Sequence, residues 1–328
     1  MNRLTRHLAL GVSLGCAALC AQAQTAAEPA WPTKAIKIIV TYPTAGVSDN
    51  ATRVLAERLT KSLGQPVLVE NRAGAGGTLG ADVVAKAAPD GYTIGFAGIS
   101  AFSIGPHVMK VNYDSLKDFS AVAAAMYSPV YLLATSKFAG KSFEDVIALS
   151  KAKPGSITVA TSGYGTVGHI MIEQLRKKSG ADITHVPYKG GGQIATDALG
   201  GQFDLMLANP YANLNNLIAE GKFRVLAMGA PQRLEKYPDV KTFAELGYPE
   251  ANMTSFFGFF APARTPPEII AKLNTEINRA LNDPEIAEKI RKLENLVVTG
   301  KPEYFGDMIQ KEYASNAVIV KEANIKAE

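Results

Sequence analysis

A β-loop-α-β-loop-α-β pattern occurs twice in this chain, and that duplication restricts the fold more than any other feature of the sequence. From Ile36 onward short apolar segments alternate with amphipathic helical ones, as in an α/β protein with a mainly parallel sheet. The first copy opens with Ile36-Lys37-Ile38-Ile39-Val40, passes through Pro43-Thr44-Ala45-Gly46 and enters a helix at Ser48 or Asp49 with Val54, Leu55 and Leu59 on one face. It continues with Val67-Leu68-Val69, the loop Gly74-Ala75-Gly76-Gly77, a helix through Val83 and Val84, and the strand Tyr92-Thr93-Ile94-Gly95-Phe96. The second copy runs from Ile157-Thr158-Val159-Ala160 through Thr161-Ser162-Gly163-Tyr164-Gly165-Thr166 into a helix carrying Ile170, Met171 and Leu175. Then come Ile183-Thr184-His185-Val186, the loop Lys189-Gly190-Gly191-Gly192, a helix through Ile194 and Leu199, and Phe203-Asp204-Leu205-Met206-Leu207.

The offset between the copies is far too long for a solenoid, and no long polar or Gly/Ser tract separates them. The expectation is two similar lobes, 24–130 and 131–255, with a cleft between them and with 256–328 returning to the first lobe as a strand and C-terminal helices. The run Ser255-Phe256-Phe257-Gly258-Phe259-Phe260 reads as a buried strand. The segment after Pro267 reads as an amphipathic helix with Ile269, Ile270, Leu273, Ile277 and Leu281 inward.

Before this body, Arg3, Arg6 and His7 precede an apolar run from Leu8 to Cys20 and then Ala21-Gln22-Ala23. A basic head, a short greasy stretch and a small-x-small exit predict a secretory signal over 1–23, cleaved near Ala23. Both cysteines of the chain, Cys16 and Cys20, fall inside it, so the mature protein would carry no thiol. Lipid attachment at either cysteine is disfavoured, because Ser13 and Ala17 stand where a lipobox has leucine. Removing Arg3 and Arg6 from 34 basic residues leaves 32 against 30 acidic ones, near balance. With no basic run and no interleaved aromatics, nucleic acid is not an expected partner.

In a parallel sheet the loops after the carboxyl ends of the strands lie along one edge, where ligands bind. Here those loops are made of Gly, Ala, Ser and Thr. Small residues let a ligand approach the backbone, and the unbonded amides of a first helical turn, with the helix dipole, favour an anion. Two such loops could hold a carboxylate without an Arg or Lys. Other readings stand beside this one: Ser48 or Asp49 as a plain N-cap, Asp49 paired with Arg53 one turn on, and Gly74, Gly76 and Gly77 as a tight turn only.

Enzymatic readings have less support. Gly163-Tyr164-Gly165-Thr166-Val167-Gly168 fits the dinucleotide pattern, but the next strand ends in His185, Pro187 and Tyr188 rather than a ribose-binding acid. Gly98-Ile99-Ser100-Ala101-Phe102 lacks the second glycine of a nucleophile elbow. His107, His169 and His185 are scattered without partners at metal-ligand spacing. His169, one turn into its helix, could reach the cleft or serve structure alone. No cofactor, metal or catalytic residue is expected.

Six blocks in order then match a known family: Trp31-Pro32, Gly46-x-x-Asp49 with Arg53, Val69-Glu70-Asn71-Arg72-Ala73-Gly74-Ala75-Gly76-Gly77, Ala88-Pro89-Asp90-Gly91-Tyr92-Thr93, His185-Val186-Pro187-Tyr188-Lys189-Gly190-Gly191 and Gly200-Gly201-Gln202-Phe203-Asp204. Together they resemble the Bug family, the extracytoplasmic solute receptors of tripartite tricarboxylate transporters. The resemblance implies a periplasmic, type II-like two-lobed binding protein, expected to be monomeric. Such a protein closes over a small organic acid and delivers it to an ion-gradient-driven permease of one large and one small subunit. It also implies that the carboxylate sits against Thr44, Ala45, Gly46, Val47, Ser48 and Asp49 on one side and Ser162, Tyr164, Gly165 and Thr166 on the other. Gly74, Ala75 and Gly76 complete the pocket, with His169, Tyr188 and Asp204 as further candidates. The sequence departs from the family where Thr44-Ala45-Gly46 replaces Pro-Gly-Gly and where Phe256-Phe257 replaces a usual Trp. Ala45 adds a methyl group that resists positive φ, and the phenylalanines suggest a flatter or aromatic acid. An enzyme using the same cleft and a sensory receptor are the competing readings.

Overall fold

Alternation of buried apolar strands with half-buried helices produces two sheets, each built from one copy of the duplicated unit. The computed structural model describes residues 31–326, so the leader and both cysteines lie outside the described residues. Residues from Lys34 onward form one unit; of the other, Met1–Thr33, only residues 31–33 are described.

In the first copy β1 (Ile36–Val40), α1 (Val47–Leu63), β2 (Val67–Asn71), α2 (Thr78–Ala85) and β3 (Thr93–Gly98) follow one another, and β1 pairs in parallel with both β2 and β3. After β4 (Phe119–Ser128), β5 (Val130–Ala134) and α5 (Phe143–Ala152), the second copy repeats the arrangement. It comprises β6 (Ile157–Thr161), α6 (Val167–Ser179), β7 (Ile183–Pro187), α7 (Gly191–Leu199) and β8 (Leu205–Ala208), with β6 parallel to β7 and β8. In both copies the first strand is central. The short helices α3 (Ser100–Ser103) and α4 (Gly105–Val108) follow β3, and α8 (Ala212–Ala219) and β9 (Arg224–Gly229) follow β8.

The sheets are mixed rather than mainly parallel. The first has the order β11-β4-β10-β3-β1-β2, where β10 is Ser255–Pro262 and β11 is Leu296–Val297; the second has the order β7-β6-β8-β5-β9. β10 runs antiparallel to both β3 and β4, and β5 runs antiparallel to both β8 and β9. The reason is the crossover. The chain leaves the first sheet along β4 and enters the second along β5 with only Pro129 between them, and it returns along β10, so crossing strands enter against the direction of the parallel ones. β10 is buried along its whole length, as the aromatic run predicts, and Phe256, Phe259 and Phe260 join the core.

The C-terminal helices α9 (Pro267–Leu281), α10 (Pro284–Arg291) and α11 (Pro302–Glu322) do not all return to the first sheet. Phe305 and Ile309 of α11 pack in the core with Phe256 and Phe260, whereas Val320 and the following Ile325 pack with Val159, Ile172 and Leu205 of the second copy. A helix of 21 residues is about 30 Å long, enough to reach both cores.

Candidate ligand-binding site

One cavity collects the loops at the carboxyl ends of β1, β3, β6 and β8 together with both crossings. The first sheet contributes Tyr42, Pro43, Gly46, Val47 and Ser48 after β1, and Gly98, Ile99 and Ser100 at the end of β3. The second contributes Ser162, Thr166, Val167 and Gly168 after β6, and Leu207, Ala208, Asn209 and Tyr211 around the end of β8. Val130, Ser255, Phe256 and Phe257 come from the crossing strands.

Two helices start at this cavity from opposite sheets. α1 has Gly46 as N-cap and α6 has Thr166; glycine has no side chain to cap with, and the Thr166 side chain does not bond its helix. The first intrahelical bonds are Asn50 N–H to Gly46 O and Ile170 N–H to Thr166 O. The amides of Val47, Ser48 and Asp49, and of Val167, Gly168 and His169, therefore have no acceptor within their own helices. The Ser48 hydroxyl is buried, has no partner and belongs to a residue of the cavity wall. Such a constellation of donors is complementary to an anion's oxygens.

Asp49 builds the first loop and is not among the residues that line the cavity. Its carboxylate accepts hydrogen bonds from Ala45 N–H (2.9 Å), Arg53 Nε (3.0 Å) and Asn71 Nδ2 (3.0 Å). Burial alone would raise its pKa; the bonds from Arg53, Ala45 and Asn71 outweigh burial and hold the carboxyl below its usual range. Asp49 is thus a third-position residue reaching back to the loop, and α1 begins two residues before it, at Val47. Ala45 does adopt the left-handed conformation that its methyl group was expected to resist, with φ of 62°, and the Asp49 bond to its amide holds it there.

The second loop is built around Gly163, whose φ of 116° favours glycine and whose amide donates to Thr161 Oγ1 at 3.1 Å. Thr166 Oγ1 donates to Gly163 O at 2.7 Å, and Gly165 N–H donates to His169 Nδ1 at 3.3 Å. His169 stacks on His185 with ring centroids 4.6 Å apart, and Tyr164 stands edge-on to both. Burial pushes the His169 pKa down to about 4, and burial with the neighbouring His169 pushes His185 to about 3. His169 therefore supports this loop from behind as a neutral acceptor.

Of the sequence candidates, Gly46, Val47, Ser48, Ser162 and Thr166 line the cavity. Ala75, Gly76, Tyr164 and Tyr188 line a neighbouring hollow with Met109 and Lys189, where the two sheets' loops touch. Gly165 abuts Gly105, Gly74 abuts Leu79, and Thr44 and Ala45 are exposed on the rim. Asp204 is a correction: it precedes β8, at the opposite edge of the sheet. There its carboxylate accepts from Thr158 N–H (2.9 Å) and Thr158 Oγ1 (2.6 Å) and joins β6 to β8. Residues missed from sequence include Tyr42, Ser100, Asn209, Tyr211, Ser255 and Phe257. Applying the carboxyl-edge rule to the third strand of each copy would have found Ser100 and Asn209. Among the described residues no group of His, Cys, Asp and Glu is placed to hold a metal ion, and no helix is long and apolar enough to cross a membrane.

A family model described as the tripartite tricarboxylate transporter family receptor, TctC, matches residues 51–325. The chain belongs to this receptor family. Its relative BugT of Bordetella pertussis is 36% identical over 326 residues, covering 98% of this chain and 99% of BugT. The structure of the periplasmic binding protein BugD superposes with a TM-score of 0.85 at 29% identity, covering 90% of this chain and 100% of BugD. MatC from Rhodopseudomonas palustris, solved with bound malate, gives 0.83 at 31% identity, covering 88% and 100%. The receptor thus has the periplasmic-binding-protein fold, with two mixed α/β sheets.

Proposed function

We infer that this receptor captures a small organic carboxylate in the cavity between its sheets and delivers it to the membrane permease of a tripartite transporter. The observation carrying the reading is the convergence on one cavity of two uncapped helix N-termini, from α1 and α6, beside the buried, unpartnered Ser48 hydroxyl. Those groups can hold an anion's oxygens from opposite sides with no cationic side chain. Malate in MatC supports the assignment of a carboxylate. The 24–130 and 131–255 segments act as lobes that separate to admit the acid and close over it. The protein works as a periplasmic monomer after its leader is removed near Ala23, and it delivers its ligand without chemical change.

A thermal-shift panel of monocarboxylates, dicarboxylates, tricarboxylates and acidic amino acids tests this directly. A ligand that binds only the folded state raises stability by about 2.7 kcal/mol at one hundred times its Kd. A flat response across all acids would refute the reading, and recovery of a chemically altered acid would favour an enzyme.

A further inference from the structure

We propose that Asn209 is a positioning residue that fastens the hinge between the two sheets in its closed arrangement, and that it sets ligand affinity through closure. This goes a step past the receptor reading above and rests on its closing motion.

Two strand passages lie side by side at the hinge. The chain goes out from β4 to β5 through Pro129 alone, and it comes back into β10 at Ser255. The passages are in register at both ends. Ser255 is opposite Ser128 across β10 and β4 in the first sheet, and Val130 is opposite Gly229 across β5 and β9 in the second. Asn252 brings the returning chain back beside β9, donating from Nδ2 to Ala230 O at 2.9 Å and accepting from Ala230 N–H at 3.3 Å. Rotation of one sheet against the other is absorbed at such element-terminal residues.

Asn209 belongs to neither passage but bonds both. It follows β8 of the second sheet and lines the ligand cavity. Its Nδ2 donates to Pro129 O at 2.9 Å, with Ser128 O at 3.5 Å, and its Oδ1 accepts from Ser255 Oγ at 3.3 Å. One amide thus ties the second sheet to the last residue of β4, the residue after it and the first residue of β10. Ser128 and Ser255 are buried, so groups released there lose partners that water does not readily replace. The bonds are made with the lobes together: Gly190 abuts Pro43, and Gly165 abuts Gly105, between loops of opposite sheets. With only two side-chain torsions, Asn209 cannot keep all these partners through a hinge rotation. The clasp therefore favours the closed arrangement, and a less populated closed state weakens apparent affinity by the same factor.

Asn209→Ala and Ser255→Ala, singly and together in the mature protein, test this. Calorimetric titration should show Asn209→Ala weakening every acid that binds by one common factor, about tenfold for the loss of two neutral hydrogen bonds. Ser255→Ala should cost less, and the double variant should be little weaker than Asn209→Ala, because that substitution already releases the Ser255 bond. In the ligand-free protein, hydrogen exchange should quicken in both passages, 128–131 and 253–257, and stay unchanged in β1 and β6. Ser255→Ala reads the same clasp from its other side if Asn209→Ala does not fold. A loss that differs from acid to acid would make Asn209 a direct ligand contact and overturn the inference, as would unchanged affinity or unchanged exchange in the passages. If no acid binds the unmodified protein, the carboxylate reading falls and the exchange comparison alone decides the clasp.

Discussion

Replacing Val47 or Val167 by proline removes one backbone N–H from a cavity-facing helix end while leaving the helix able to form. Each residue is the first of its helix, where proline's fixed φ is compatible and its missing N–H costs no intrahelical bond. The preceding residues already have backbone angles near those proline imposes: φ −88° and ψ −178° at Gly46, φ −105° and ψ 164° at Thr166. A hydrogen bond to a charged partner contributes about 1.5–3 kcal/mol, so loss of one such N–H should weaken acid binding about ten- to hundredfold. Val47→Ala and Val167→Ala are the controls, because they remove side-chain methyls and keep the N–H. Calorimetric titration with the tightest acid from the panel measures the effect, and melting without ligand checks that the fold persists. If both proline variants melt normally and bind as tightly as their alanine controls, the amides of these residues do not hold the ligand.

Closure, strain and protonation give further expectations. A Cβ at Gly190 would overlap the Pro43 ring and one at Gly165 would lie 2.9 Å from Gly105 Cα, both contacts between loops of opposite sheets. Gly190→Ala should therefore cost about 1–3 kcal/mol of ligand affinity by opposing closure, with a smaller change in the ligand-free melting temperature; an unchanged Kd would count against closure. Ala45→Gly should relieve the left-handed strain at φ 62°. A relief of about 1–2 kcal/mol, less about 0.4–1 kcal/mol of added unfolded-state entropy, should raise the melting temperature slightly, and a clear fall would refute the strain. His169 has a folded pKa of about 4, below the unfolded value of about 6.5, so the unfolded chain takes up its proton first. Stability should decline as pH falls from about 6.5 to about 4, and His169→Gln should reduce that slope by up to about 1.4 kcal/mol per pH unit in urea melts; an unaltered slope would exclude His169 as a cause.

How much of this was legible beforehand differs by element. The duplicated unit could be read because strand and helix periodicities are local, and because Gly-rich loops after apolar strands are local too. The loops that carry Gly46, Val47, Ser48, Ser162 and Thr166, which line the cavity, were legible on that basis, since a loop after a central parallel strand reaches the carboxyl edge in either copy. Asp204 was misplaced because a block shared with a family does not say at which end of a strand it sits. Its carboxylate ties the amino ends of β6 and β8. Asp49 was half legible: its pairing with Arg53 follows from helical spacing, but its bond to Ala45 N–H depends on how the loop folds back.

Sequence alone determined the elements, the repeated order of the two copies and the kind of chemistry their loops can offer. Only the tertiary structure decided that β5, by which the chain enters the second sheet, and β10, by which it returns to the first, run against the parallel strands, and that Gly46 and Thr166, so distant in the chain, cap helices facing one cavity. It also brought Phe257, Asn209 and Ser255 to walls that no local pattern connects to those loops. The physical reason is that pairing and burial between segments far apart in sequence depend on the free energy of the whole packed arrangement, whereas helix, strand and turn preferences are set within a few residues.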